Sequence, residues 1–430
     1  MKNASAFFKI KNHSGFFIAV RYLWGRAREG GRYLRGAAAG IAVSLIPIIV
    51  TLIVADGMIR GITDRYLELG TGHLQVYNFV NADDFDLAAE KAGRIPGFQG
   101  AWSEKRGIGV LVGKGGKTGA SIRAIDPSFW DDEGSKKYLV TLSGSSTISS
   151  DRDVLLGEAL ASSIGAAVGD TIRIMTVRVT GDGRNIPRMT PFTVRGIVSS
   201  GYHELDSLWC ITTWEGGSRL LAGEVSSASL LVKIADPYRN AEAVSRSLFY
   251  DLGPGYGVYS WRELMQSQYS SYESTRQLLL FIMALVVLVA AVNVSSATSM
   301  LVIERQRDIA VLKAAGTSVR GISGIFLRAS FLTGLAGAAA GIALGLLIGN
   351  FINQIIGGLE HLLTFFSNLF HGGDIKILDS GFYLESIPVI IDWFAVFLIG
   401  LFTIVSSVIA SWIPSRRAGK LKPLDLLRKY

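Results

Sequence analysis

The uncharged run LLLFIMALVVLVAAVNVSSATSMLVI, residues 278–303, constrains this chain more than any other stretch. An apolar run of about 25 residues is long enough to cross a bilayer as a helix, and a soluble core helix seldom needs that length. Three more runs of spanning length lie at residues 36–55, 329–359 and 393–415. Four spans are therefore expected. With 49% apolar and only 18% charged residues, the composition fits a membrane protein that also carries one substantial water-exposed portion.

Charge sets the orientation. The leader to Arg35, the loop 303–328 and the tail from Arg416 together hold about 19 Lys and Arg against about 4 acids, which makes all three cytoplasmic by the positive-inside rule. The whole chain carries +8, so the remainder is near −7. Topology thus accounts for the basic balance, and no nucleic-acid partner is called for. Residues 56–277 fall outside the membrane with both termini inside. The leader, with Phe16, Phe17, Val20, Leu23 and Trp24 interleaved with Arg21, Arg26, Arg28 and Arg32, has the composition of an interfacial helix. It shows no small-residue cleavage signature, so the first span is expected to be retained. Cys210 is the only cysteine, so the external segment must be stable through its core without an internal disulfide.

Within the first span Pro47 removes a backbone donor and predicts a kink, while Gly36, Gly40 and Ser44 form a small-residue face suited to helix packing. The external segment opens with the strand HLQVYNF. IGVLVG and ASIRAI flank KGGKTG as a hairpin, and DVLLGEALASSIGAAVGDTIRIMTV reads as a helix, a turn and a strand. PFTVRGIVSSGYHELDSLWCITT adds two strands and SASLLVKI another; Asp236 and Pro237 are expected to cap a helix to Tyr250. A helix continuous with the second span is expected from Trp261. After that span, charges at Glu304, Arg305, Arg307, Asp308 and Lys313 alternate with apolar Ile309, Val311 and Leu312. This is a short amphipathic helix ended by Gly316. The third span carries Gly337, Gly341, Gly345 and Gly349 at four-residue intervals, a bare stripe for a neighbouring helix. Its continuation, IIGGLEHLLTFFSNLF, has apolar residues at the spacing of an interfacial helix.

No catalytic centre emerges. GKGGKT has Leu111 where a phosphate loop needs glycine, and it leads into a β pattern, so a hairpin turn is the reading. His203 and Glu204 lack the second histidine of a zinc-protease helix and are expected in a solvated loop. The remaining histidines are scattered, and no serine sits in a nucleophile elbow. Asn293, polar within the second span, is expected to bond across helices or face a cavity.

One span, a large external domain and three further spans with a charged inner loop resemble the FtsX-like permeases of ABC transporters. GHLQVYN, LLGEALASSIGAAVGD, FTVRGIVSSGYHELDS, AAVNVSSATSMLVIERQRDIAVLKAAGTS, FYLESIPVII and SWIPSRRAGKLKPLDLLRKY look like landmarks of the LolC/LolE family of lipoprotein-releasing permeases, in that family's order. The resemblance implies an α+β membrane protein of type VII ABC architecture: four transmembrane helices and a large mixed α/β, MacB-like periplasmic domain between the first two. It implies an inner-membrane permease, paired with an identical or homologous second permease and working on two copies of a separate ATPase. No cofactor is bound by this chain; ATP and magnesium belong to the ATPase. The cargo would be triacylated lipoproteins passed to a periplasmic carrier. Coupling to the ATPase is expected at Glu304, Arg305, Arg307, Asp308, Ile309, Leu312, Lys313 and Gly316. A cavity for the lipoprotein is expected along Ile46, Pro47, Val50, Val54, Met283, Val287 and Asn293. A carrier-binding loop is expected at Gly181, Asp182, Gly183, Arg184, Asn185, Ile186, Pro187 and Arg188.

The expected division is a leader at 1–35, spans at 36–56, 278–303, 329–357 and 392–413, the periplasmic domain at 57–277, the coupling loop at 304–328, an external loop at 358–391 and a tail at 414–430. Two other roles share this architecture: an FtsX-like regulator of cell-wall hydrolases and a MacB-like exporter of peptides or toxins. FtsX has a smaller external domain and MacB a fused ATPase, which favours lipoprotein release.

Overall fold

The computed structural model describes residues 16–20, 31–148, 150–179, 185–222, 226–369 and 387–421. The chain divides into two compact units. The first comprises Met1–Gly57, Glu273–Gly357 and Pro388–Tyr430, and the second comprises Met58–Tyr272 and Gly358–Ile387. Among the described residues four helices are long and apolar enough to cross a membrane. They are the first span helix, Gly31–Arg65, the second, Gln266–Glu304, the third, Val319–Asn350, and the fourth, Trp393–Ala410. A terminal helix, Trp412–Lys420, follows the fourth after one residue. Residues 16–20 of the leader are helical; Arg21, Leu23, Trp24, Arg26 and Arg28 lie outside the described residues.

The membrane unit packs around Ile41, Leu45, Ile49 and Ile53 of the first span, Met283, Val287, Ala290 and Val294 of the second, and Ala395, Val396 and Ile399 of the fourth. Four glycines of the third span explain the close approach of the first. A Cβ on Gly337 would stand 2.8 Å from the Ala38 carbonyl oxygen, and one on Gly341 would stand 2.8 Å from the Leu45 Cβ. A Cβ on Gly345 would meet the Ile49 Cβ at 2.7 Å, and one on Gly349 the Ile53 Cδ1 at 2.5 Å. Contacts that short leave no room for any side chain, so branched residues on one helix fill the bare stripe of the other. The partner of the stripe, open in the sequence, is thus this chain's own first span. Of the small-residue face expected to pack, Ser44 is half-buried, and among the described residues no packing atom lies within 4 Å of a Cβ built on Gly36 or Gly40. The first helix continues unbroken through Pro47.

The second unit is built on a ten-stranded mixed sheet, in the order β10-β1-β9-β2-β3-β8-β5-β7-β4, with β6 pairing β2 and β7. Its strands are β1 (Leu74–Asn78), β2 (Phe98–Val112), β3 (Lys117–Ile125), β4 (Val140–Gly144), β5 (Asp153–Gly157), β6 (Thr171–Val179), β7 (Asn185–Ser199), β8 (Trp209–Thr213), β9 (Ser226–Ile234) and β10 (Tyr256–Ser260). The pairings β3–β8 and β5–β7 are parallel and the rest antiparallel. β2 and β3 form the expected hairpin around KGGKTG.

Several expectations are corrected locally. DVLLG is a strand, β5, and the helix begins only at Glu158. HELD is a short helix, not a solvated loop: Asp206 is buried and accepts hydrogen bonds from the Ser199 hydroxyl and the Ser200 amide, both at 2.8 Å. Asp236 has φ of 52° and caps nothing with its side chain, although a helix does run over Pro237–Leu252. The helix from Trp261 stops at Leu264 before the second span helix begins at Gln266, so the expected continuity is interrupted. Ser260 and Glu263 close its start as a capping box.

Candidate functional site

The charged segment after the second span folds as predicted into a short helix, Gln306–Ala314, referred to by its expected role as the coupling helix. Arg305 breaks it from the second span. Gly316, at φ of 86°, ends it: the Gly316 amide donates to the Lys313 carbonyl at 2.9 Å and the Thr317 amide to the Leu312 carbonyl at 3.0 Å. This pair of bonds is the Schellman closure, and its left-handed residue favours glycine. Two residues later the Ser318 hydroxyl accepts from the Gly321 amide and starts the third span. The coupling helix is therefore fixed at both ends to membrane-spanning helices.

Its seat is a small core of its own. Ile309 and Ala310 are fully buried against Leu34, Leu301, Val302, Ile322, Ile325, Phe326 and Ala418. The terminal helix closes this seat: a Cβ on Gly419 would lie 2.6 Å from the Val319 carbonyl oxygen and 2.7 Å from the Ser323 hydroxyl. The Lys313 ammonium donates to the Leu421 carbonyl. The seat thus joins this helix to the first, second and third span helices and to the terminal helix.

The expected coupling residues do not share one face. Glu304, Arg307 and Gly316 are exposed, and so are Val311, Ala314 and Ala315. Asp308 is tied to Arg305 at 3.3 Å, Leu312 and Lys313 are half-buried, and Ile309 points into the bundle. Ile309 is thus a seat residue and not a docking residue. Val311, 61% exposed on the outer stripe, is the docking candidate that the expected set omits.

The residues expected to line a cavity also separate. Met283 and Val287 are buried in the helix core, whereas Ile46, Val50 and Val54 are half-buried and Pro47 and Asn293 are exposed. At the other end of the unit, Arg276 of the second span binds Asp56 of the first through Nε at 2.7 Å and Nη2 at 3.3 Å. The same Nη2 reaches Asp392, before the fourth span, at 2.7 Å. Asp392 also accepts from the Phe394 and Ala395 amides and so caps that span. Three helices are clasped by one guanidinium. Because Arg276 is one-third exposed, solvent screening limits the clasp's worth. Arg276→Gln is expected to lower stability by about 1 kcal/mol, read as a fall in the thermal unfolding midpoint in detergent.

The second unit carries a buried ionic network around the π-helical turn Tyr66–Thr71 that follows the first span helix. Glu104 on β2 pairs with Arg123 on β3 at 2.5 Å and with Arg106 at 2.8 Å. Arg123 also donates to the Leu69 carbonyl at 2.7 Å and lies over the Trp209 ring. Lys233 on β9 bridges Glu68 at 3.0 Å and Asp132 at 2.5 Å, while His73 lies 3.2 Å from Glu68. Burial opposes the charge on Glu104, but Arg106 and Arg123 outweigh it and hold the carboxyl below its ordinary range. The turn is therefore riveted to the sheet through its carbonyls and Glu68. Beside it lies a polar cleft of about 1020 Å³ whose lining includes Arg60, Asp64, Tyr138 and Tyr238. The Tyr238 hydroxyl donates to Asp64 at 2.6 Å, and Arg60 stacks on its ring.

The expected carrier loop is shorter than its sequence implied. β6 runs to Val179 and β7 starts at Asn185, so Ile186, Pro187 and Arg188 are strand residues, with the Ile186 side chain exposed. Gly181, Asp182, Gly183 and Arg184 lie outside the described residues. Among the described residues no group of three or more His, Cys, Asp and Glu is placed to hold a metal ion.

Two family models match. The FtsX-like permease C-terminal model covers residues 280–423, and the MacB-like periplasmic core domain model covers residues 36–248. The chain is 28% identical to the lipoprotein-releasing system transmembrane protein LolC of Neisseria meningitidis serogroup B, over 96% of this chain and 98% of that protein. It is 26% identical to LolC of Xylella fastidiosa, over 96% and 98%. With the lipoprotein-releasing system transmembrane protein LolE of Haemophilus influenzae it shares 23% identity over 96% and 99%.

Proposed function

We propose that this chain, which belongs to the LolC/LolE group of FtsX-like permeases, is the transmembrane subunit through which a separate ATPase drives lipoproteins out of the outer leaflet of an inner membrane. The observation that carries the reading is the coupling helix. It presents an exposed stripe of Arg307, Val311 and Ala314, continued by Glu304 at the end of the second span helix, and its opposite face is buried among the inner ends of the spans. The phosphate-loop candidate 113–118 forms the turn between β2 and β3 and the first residues of β3. The force then comes from a partner that binds ATP and magnesium.

Energetics favour that assignment. Each buried lipid methylene contributes roughly 0.8 kcal/mol, so withdrawing three acyl chains needs both an energy source and an apolar shelter. The polar cleft of the second unit offers no such shelter. The exposed outer side of the second span, with Phe281, Leu285, Val289 and Val292, supplies apolar surface. In this reading two ATPase copies act on a pair of permeases, identical or homologous. Both termini lie in the cytoplasm, the sheet domain lies in the periplasm, and a soluble carrier takes the cargo.

The test is reconstitution of the chain with its copurifying permease and ATPase in liposomes loaded with a triacylated lipoprotein. Release to an added carrier is expected with ATP and absent without it. An ATPase that hydrolyses while the lipoprotein stays in the membrane would overturn the reading.

A further inference from the structure

The helix after the third span, Ile352–Leu369, takes no part in the sites described above, yet its apolar and polar residues are sharply separated. Set on a helix of 3.6 residues per turn, every apolar residue from Ile352 to Phe366 falls on one half of the surface. Asn353, Gln354, Glu360, His361 and Thr364 fall on the other. Ile355, Leu359, Leu362 and Phe366 form the exposed line of the apolar half, at 45%, 47%, 53% and 50% exposure. None of the helix's described side chains is buried. A soluble helix with this face would bury it; none of the described residues does so here.

The third span identifies the cover. From Arg328, its last charge, to Asn350 runs a stretch of about 22 residues, or ~33 Å of helix, which matches the hydrocarbon thickness of a bilayer. The amphipathic helix begins at Ile352, one residue later. Its first turn is thus held at the membrane boundary by covalent geometry. The helix contains no Lys or Arg, so anionic headgroups have nothing to attract and the affinity must come from acyl chains.

We infer that Ile352–Leu369 lies along the outer membrane interface, with Ile355, Leu359, Leu362 and Phe366 inserted among the acyl chains of the outer leaflet. The occupant of the apolar face is phospholipid. The inference stands independently of what cargo the permease carries. If the cargo is lipidated, however, the stripe sits in the leaflet from which it departs.

Nitroxide scanning of the full chain, purified with its copurifying partners and placed in lipid nanodiscs, tests this. Labels go on Ile355→Cys, Leu359→Cys, Leu362→Cys and Phe366→Cys, with Gln354→Cys and His361→Cys as the polar-side set. All six positions are exposed or at the rim of the apolar half, so the substitutions remove no buried contact. Cys210 is buried, with its thiol pKa pushed up to about 12 by burial, and leaves the background low. The stripe labels are expected to collide more with dissolved oxygen than with a water-soluble nickel complex, and the polar-side labels the reverse. Nickel-accessible stripe labels would mean that the helix stands in water, and would overturn the inference. Labels shielded from both agents would mean that a protein surface, such as a second permease, covers the stripe, and would overturn it equally.

Discussion

Replacing Val311 with Asp is expected to leave the permease folded and the ATPase hydrolysing, while ATP-dependent release falls by at least about tenfold, the equivalent of some 1.4 kcal/mol of lost contact. Val311 is 61% exposed and sits between Arg307 and Ala314 on the outer stripe of the coupling helix. A carboxylate buried by docking is desolvated, typically at a cost of a few kcal/mol that Arg307, one turn away, offsets only in part. Ile309→Asp marks the contrast. Ile309 is fully buried in the seat, so that variant is expected to lose the folded protein itself. Copurification of the ATPase and release from proteoliposomes separate the two outcomes. Charge reversal at Glu304 acts directly on the exposed stripe, whereas reversal at Asp308 first breaks its pair with Arg305. If Val311→Asp releases lipoprotein at the wild-type rate with the ATPase bound normally, the outer stripe is not the docking surface.

The second large effect is expected in the sheet domain. Glu104→Gln removes the carboxylate that Arg123 and Arg106 share, and leaves Arg123 buried with its charge uncompensated. Breaking a buried pair in this way costs about 3–5 kcal/mol. The measurement is thermal unfolding of the full chain followed by proteolysis within the domain. An apolar replacement of both partners, Glu104→Leu with Arg123→Met, is expected to recover part of the loss, because no unpaired charge then remains. The sign with pH follows from the depressed carboxyl. The contribution of Glu104 is fully present above the ordinary carboxylate value of 4.5 and is lost as pH falls through the lower folded value. Stability should accordingly be flat through neutral pH and drop in acid, and Glu104→Gln should drop less steeply. An unfolding midpoint unchanged by Glu104→Gln would mean that the turn Tyr66–Thr71 is held by other contacts.

Patterns local in sequence were readable; arrangements between distant segments were not. The spans declare themselves because hydrocarbon tolerates no charge over their length, and Gly316 because a left-handed residue must close a Schellman end. Which way the coupling helix faces is different. A nine-residue helix with Ile309, Val311 and Leu312 has apolar residues on two sides, and only the neighbouring Phe326 and Ala418 decide that Ile309 turns inward. The ionic network left a trace in the sequence: Glu104, Arg106, Arg123 and Lys233 are charges inside strand patterns, but Arg123 meets Glu104 across two strands and Lys233 meets Glu68 and Asp132 outside the sheet. The clasp left none, since Asp56 and Arg276 are 220 positions apart. Asp236 and Pro237 do mark the helix start, but at its positive φ Asp236 caps through its backbone carbonyl, which accepts from the Arg239 and Asn240 amides, and not through its carboxylate.

The glycine stripe of the third span has a mechanical consequence. Gly337, Gly341, Gly345 and Gly349 receive Ile41, Leu45, Ile49 and Ile53 one for one, so the two helices mesh like a rack whose teeth repeat each turn. Sliding by less than a full turn, about 5.4 Å, would drive a branched side chain into backbone. The first and third spans therefore move as one rod. The second span, with no glycine between Gln266 and Glu304, carries no such teeth to lock it to a neighbour.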